Sequence, residues 1–208
     1  MKFNFKPEEL TKEKSLFDIY ILTKPIKINN FDFYLTIVVF LLLLANSVCF
    51  SSSKELLDSI RSWVPLTFSF TTTTLGFLIT GFTIFATINK PDLFLALMNI
   101  KHPDYDMSYL KYVYGVFMRV FIHFIFWSIV YLFIIMFGQQ NGLISKIANG
   151  LMIPYEAKKI VIKSTYVILG CSAIYLVLSI KTFIFNIYTM LMQSLRWEMG
   201  KNHETKKE

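Results

Sequence analysis

The side chains able to do redox or metal chemistry are few and scattered. There are three histidines (His102, His123 and His203) and two cysteines (Cys49 and Cys171) in 208 residues. No Cys-x-x-Cys pair exists, so the usual redox and zinc spacings are missing. A metal hydrolase needs His, Cys or carboxylates clustered on one site. The chain has no glycine-rich phosphate loop and no nucleophile elbow. This inventory argues against an enzyme and implies no cofactor and no metal.

More informative are the ionisable groups inside apolar stretches. Arg119 and His123 stand one helical turn apart, on one face of a long hydrophobic run. Lys181 sits near the end of another. A cation within a membrane segment is a functional candidate by default. Arg119, however, is close enough to the segment's end to reach the headgroups along its aliphatic stem, so anchoring is its expected role. His123 is deeper. It reads as a neutral hydrogen-bonding residue between helices, with pH sensing as the alternative. Trp127 and Tyr131 continue the same face and are expected to pack between helices. No Asp or Glu falls within a predicted span. Proton-coupled transport requires an intramembrane carboxylate, and an intramembrane aspartyl protease requires a pair.

The strongest periodic feature is a stripe of small and hydroxylated residues. Ser69, Thr73, Gly76, Thr80, Thr83 and Thr87 recur at spacings of 4, 3, 4, 3 and 4, which puts all six on one helical face. Thr67, Thr71 and Thr74 are expected to widen this polar zone at one end. In lipid, helices associate through small residues that let backbones approach, and hydroxyls bond across the contact. A packing seam is therefore the first reading. A pore lining of hydroxyls and glycine without fixed charge is the second. A seam between subunits can also border a pore.

These residues must be carried by apolar helices. Hydrophobic residues make up 54% of the chain and charged ones only 17%, below the usual quarter or so for soluble domains. The expected fold is an all-α, polytopic membrane protein with four spans at about 33–50, 66–88, 113–138 and 164–181. Within 31–198, the fourth helical pattern continues past Lys181 to 198, either as an extension of the span or as a second amphipathic helix. Residues 1–30 form a lysine-rich amphipathic head, with a helix expected from Pro7-Glu8-Glu9 to about Leu22, where Lys24-Pro25 stops it. A short amphipathic helix is expected over 54–64, with Pro65 opening the second span. Asn89-Lys90-Pro91-Asp92 reads as a turn and new helix start. The tyrosines 105, 109, 112 and 114 suggest an interfacial cluster, 139–163 an interfacial loop with a short helix, and 199–208 a mobile tail. Cys49 and Cys171 differ in expected depth by roughly 8–10 Å at 1.5 Å per residue, so they should stay free thiols. About thirty polar residues precede the first apolar run, far more than a secretory n-region holds, so that run is expected to be a retained anchor.

The net charge of +7 is read as topology rather than nucleic-acid binding. Lys and Arg number six, three and four in the head, second loop and tail, against two and four in the first and third loops. The richer side is cytoplasmic, so both termini are expected inside a bacterial inner membrane.

The unit TTTTLGFLITGFTIFATINKP, followed by an amphipathic stretch, resembles the second-helix-to-loop segment of small membrane proteins of bacterial antiphage systems. These are accessory membrane proteins of CRISPR and adenosine-deaminase defence operons and the Kiwa-type membrane subunit. The resemblance covers about twenty residues and carries no catalytic residue. It implies sensing of membrane disturbance, or disruption of the membrane during infection, with a cytoplasmic protein partner. The functional expectation is therefore an oligomeric membrane protein, a sensor or pore-forming effector. The alternative is a membrane adaptor that docks a cytoplasmic partner without conducting.

Overall fold

Every named element among the described residues is helical. The computed structural model describes residues 11–27, 29–50, 52–88, 91–150 and 154–204. The elements are α1 (Leu16–Thr23), α2 (Asn30–Ala45) with a π-helical continuation (Asn46–Phe50), α3 (Ser53–Ile88), α4 (Pro91–Asn99), α5 (Tyr109–Phe137), α6 (Leu143–Gly150) and α7 (Tyr155–Glu204). Four helices are long and apolar enough to cross a membrane, over Asn30–Cys49, Ser53–Thr87, Tyr109–Phe137 and Tyr155–Gly200.

Helix ends follow local chemistry. The helix expected over 7–22 is interrupted within the described residues. Residues 12–14 are non-helical and Ser15 caps α1. The Ser15 hydroxyl accepts from the Asp18 N–H at 3.1 Å, and the Asp18 carboxylate accepts from the Ser15 and Lys14 N–H groups at 3.0 Å each. Those donors, the Lys14 N–H foremost, hold the Asp18 carboxyl below its ordinary range. The expected start at Pro7 lies outside the described residues. The Asn89-Lys90 half of the next expected turn also lies outside them, but Pro91 does open α4. The Ser108 hydroxyl accepts from the Lys111 N–H, which starts α5 about a turn before residue 113.

Two expected breaks are absent. Residues 54–64 and the second span form one helix, with Pro65 in its interior. Proline's fixed φ suits a helix, and its missing N–H removes one rung, so the apolar helix continues across it. Likewise α7 begins straight after Pro154, nine residues ahead of Ser164, and runs through Lys181 to Glu204. Nothing between Pro154 and Gly200 except Gly170 opposes helix, so the alternative of a separate amphipathic helix past residue 181 falls away. The expected mobile tail is helical through Glu204, and 205–208 lie outside the described residues.

The chain divides into two compact units, and α3, α5 and α7 contribute segments to each. One comprises Met1–Lys27, Phe77–Ile122 and Ser179–Glu208. Its core is aromatic. Phe82 meets Tyr114, Phe117 and Phe121, and Phe117 and Phe121 both pack on Phe183. Leu93, Leu97 and Met98 of α4 are buried there. Lys111 donates to both oxygens of Glu13 at 2.8 and 2.9 Å, fixing the segment before α1 to α5.

The other unit comprises Ile28–Gly76 and His123–Leu178. Leu56, Ile60, Val64, Phe124, Tyr131, Val167, Leu169 and Leu176 are buried in it. Gly170 of α7 admits Leu43 of α2, since a Cβ there would stand 2.5 Å from Leu43 Cδ1. At the π-helical turn Asn46 donates to the Tyr166 hydroxyl at 3.0 Å, and Trp63 packs edge-on to Tyr166. Only 11% of the most apolar stretch of α2 is buried, against 44% for α7. So α2 leaves most of its hydrocarbon surface uncovered. Cys49 and Cys171 are free thiols.

Candidate functional site

Ser69, Thr73, Gly76, Thr80, Thr83 and Thr87 all lie on the exposed side of α3. A Cβ at Gly76 or Gly81 would meet nothing within 4 Å. The face is bordered by exposed Phe70, Phe77 and Ile84, with Phe77 at 79%. Thr71, expected to widen the polar zone, is instead fully buried. Two residues from Ser69 and from Thr73, it sits some 200° round the helix from each, on the opposite side.

Three hydroxyls on or beside this face are occupied locally. Thr83 donates to the Ile79 carbonyl and Thr87 to the Ile84 carbonyl, each at 2.9 Å. Thr72 donates to the Phe68 carbonyl at 3.0 Å. A hydroxyl bonded back to its own helix presents only acceptor lone pairs outward. Around Thr83 and Thr87 the face can lie against lipid or another helix without those donors left unsatisfied.

No protein-family model, curated protein or solved structure matches this chain. The candidate site therefore rests on its own geometry.

The three ionisable residues singled out in sequence occupy different settings. Arg119 is half-buried, and its Nη1 donates to the carbonyls of Thr23 at 3.2 Å and Ile26 at 2.7 Å. Thr23 ends α1 and its carbonyl also accepts from the Ile26 N–H at 3.1 Å, while Ile26 lies three residues past the helix, so the guanidinium clasps the turn that leaves α1 at its negative end. Arg119 thus binds protein rather than only a headgroup. Gly115, one turn earlier, makes the approach feasible. A Cβ there would come within 2.9 Å of Thr23 Cγ2, and Thr23 is fully buried. His123 Nδ1 pairs with the Tyr175 hydroxyl at 2.8 Å, linking α5 to α7 as a hydrogen-bonding residue should. Lys181 is exposed on α7.

Tyr131 is fully buried and stacks with Trp127, as the pattern along α5 suggests. Its hydroxyl lies 2.7 Å from Ser172 Oγ, which itself donates to the Leu169 carbonyl at 2.7 Å. Ser172 has one proton, so Tyr131 is the donor in this chain. Asp32, just before the first expected span, is in the first turn of α2 and buried. That position suits an acid, because the helix N-terminus is its positive end.

Sequence reasoning missed the surroundings of His102. Its ring packs against Tyr105, Tyr109 and Tyr112, with centroids 4.9, 5.6 and 4.1 Å away. Its Nδ1 accepts from the Asp104 N–H at 3.1 Å. The cluster thus joins the loop at 101–108, through His102 and Tyr105, to the first turn of α5, through Tyr109 and Tyr112. The 101–108 loop is closed by the Lys101–Ser108 bridge and by a 2.7 Å ion pair from Lys101 to Asp106, which holds the Asp106 carboxyl below its ordinary range. The Tyr105 hydroxyl also accepts from the Lys27 N–H, and Tyr109 accepts from Gln193. Only the spacing of His102 from the tyrosines could have signalled it. Among the described residues no three His, Cys, Asp or Glu converge as metal ligands would.

Proposed function

We propose that this chain is a multi-pass membrane protein that self-associates through the outward face of α3, and that the assembly acts as a sensor or pore-forming effector. The observation that carries this reading is the exposure of all six stripe residues along one apolar helix. Small residues on such a face let two backbones approach, and dispersion then accumulates along the contact. The back-bonded hydroxyls of Thr83 and Thr87 favour a packing seam over a water-filled lining. Lys and Arg are more numerous in the head, second loop and tail together, 13 against 6 in the first and third loops, which supports cytoplasmic termini. A role in antiphage defence rests on the resemblance in the α3 segment alone.

Thr80→Leu tests the seam. A branched, larger side chain should prevent close approach, so the variant inserts normally but sizes as a smaller particle and loses any conductance in liposomes. Wild-type assembly and conductance in that variant would refute the seam. A second reading, a non-conducting adaptor, is favoured by α1, whose Leu16, Phe17 and Ile21 are all more than half exposed beside a lysine-rich head. An assembled wild-type particle that stays silent in liposomes and retains a soluble protein on purification is the outcome that reading requires.

A further inference from the structure

A groove of about 340 Å³ opens in the second unit, lined by Arg61, Val64 and Pro65 of α3 and by Ile134, Ile135, Gly138, Gln139 and Gln140 at the end of α5. Its walls are hydrocarbon and its rim carries two amides. Arg61 is its one cationic lining residue, with 24% of its side chain exposed. The Nε–H donates to the Gly138 carbonyl at 3.1 Å, which caps α5 and orients the guanidinium. Nη1 lies 3.6 Å from Asp58 Oδ1, too far for a hydrogen bond, and Asp58 is 61% exposed. Among the described residues neither Nη group makes a hydrogen bond. An arginine fixed through Nε presents its Nη edge as a fork suited to a phosphate.

The groove also stands where an apolar helix stops. The hydrocarbon run of α5 ends at Phe137, and Arg61 precedes the apolar part of α3 that starts at Pro65 and Leu66. If these helices span a bilayer, both ends belong at headgroup level, with apolar walls running from there toward the acyl chains.

We infer that this groove is a phospholipid site, with the headgroup phosphate on the Nη edge of Arg61 and the first acyl carbons against Val64, Pro65, Ile134 and Ile135. Asp58 is the competing carboxylate that the phosphate displaces. The inference rests on the four helices spanning a membrane and is independent of self-association through α3.

The test is native mass spectrometry of the full chain extracted from vesicles of phosphatidylglycerol and phosphatidylcholine, after alkaline carbonate washing. Wild type should retain phospholipid. Arg61→Gln should retain it roughly tenfold less, the size of one charge-assisted hydrogen bond. Because Arg61→Gln also uncaps α5, two variants that keep the cap complete the test. Ile135→Trp should fill the groove and release the lipid, while Asp58→Asn should strengthen retention. Equal retention in Ile135→Trp and Asp58→Asn overturns the site. Displacement by millimolar inorganic phosphate from otherwise unaltered protein also overturns it, because the ligand would then be a free anion. Protein that washes out with carbonate overturns the spanning reading and the site with it. Carbonate-resistant protein lacking the variant differences overturns the site alone.

Discussion

Two arginines do comparable work at the residue scale. Arg119 closes the carbonyl end of α1 in one unit, and Arg61 closes that of α5 in the other. Each supplies a guanidinium to backbone carbonyls at or just past a helix C-terminus, and each sits next to apolar surface. For Arg119 the consequence is local. Arg119→Gln should release the Ile26 carbonyl, leave Thr23 with only its bond from the Ile26 N–H, and loosen the end of α1 by roughly 1–3 kcal/mol. Hydrogen exchange should speed up in α1 amides while those of α5 stay protected. Unchanged protection in α1 would mean that Gly115, Thr23 and the Glu13–Lys111 pair hold α1 without the cap. Sequence exposed the arginine and its apolar setting. It did not reveal the acceptors, which stand more than ninety positions away.

At the scale of elements, helix continuity and helix contact have different origins. Continuity is local: α3 passes through Pro65, and α7 through Lys181, because neither residue is enough to outweigh the helical run on both sides. Contact depends on a few permissive positions. Gly170 receives Leu43, which brings α2 to α7 in a unit where α2 buries little else. Gly170→Leu should therefore overpack this contact and lower thermal stability in detergent by about 1–3 kcal/mol. Leu43→Ala in the same chain should restore most of that loss, since it removes the atoms that collide. A double variant as unstable as Gly170→Leu would show that the glycine serves the helix itself and not this contact. A lone glycine in an apolar helix gave no sequence signal of its partner. The stripe on α3 was legible because its spacing repeats.

For the whole molecule, the charge distribution makes a topological prediction. Reporter fusions after residue 204 should read as cytoplasmic, and insertions at 139–142, between α5 and α6, should read as the opposite side. The four lysines of the third loop are the main opposing signal. Replacing Lys146, Lys158, Lys159 and Lys163 with Gln should make this orientation more uniform. A reversed pattern in the wild type would overturn the assignment of sides while leaving the helices as they are. The same experiment bears on Arg61, because it fixes which leaflet faces the groove.

Hydropathy and period alone determined the all-helical class, the four apolar segments and the membership of the α3 stripe. Those follow from which residues are apolar and how many separate them, quantities already present in the chain. The Arg119–Tyr131 face of α5 was legible for the same reason. Tertiary structure decided the partners: Arg119 with the end of α1, His123 with Tyr175, Tyr131 with Ser172, Arg61 with Gly138, and His102 among three tyrosines. It also decided that Thr71 points inward while its stripe neighbours point out. A hydrogen bond between distant residues is set by how helices meet. In an apolar chain many surfaces could be buried, and a small number of glycines and capping side chains select which ones are.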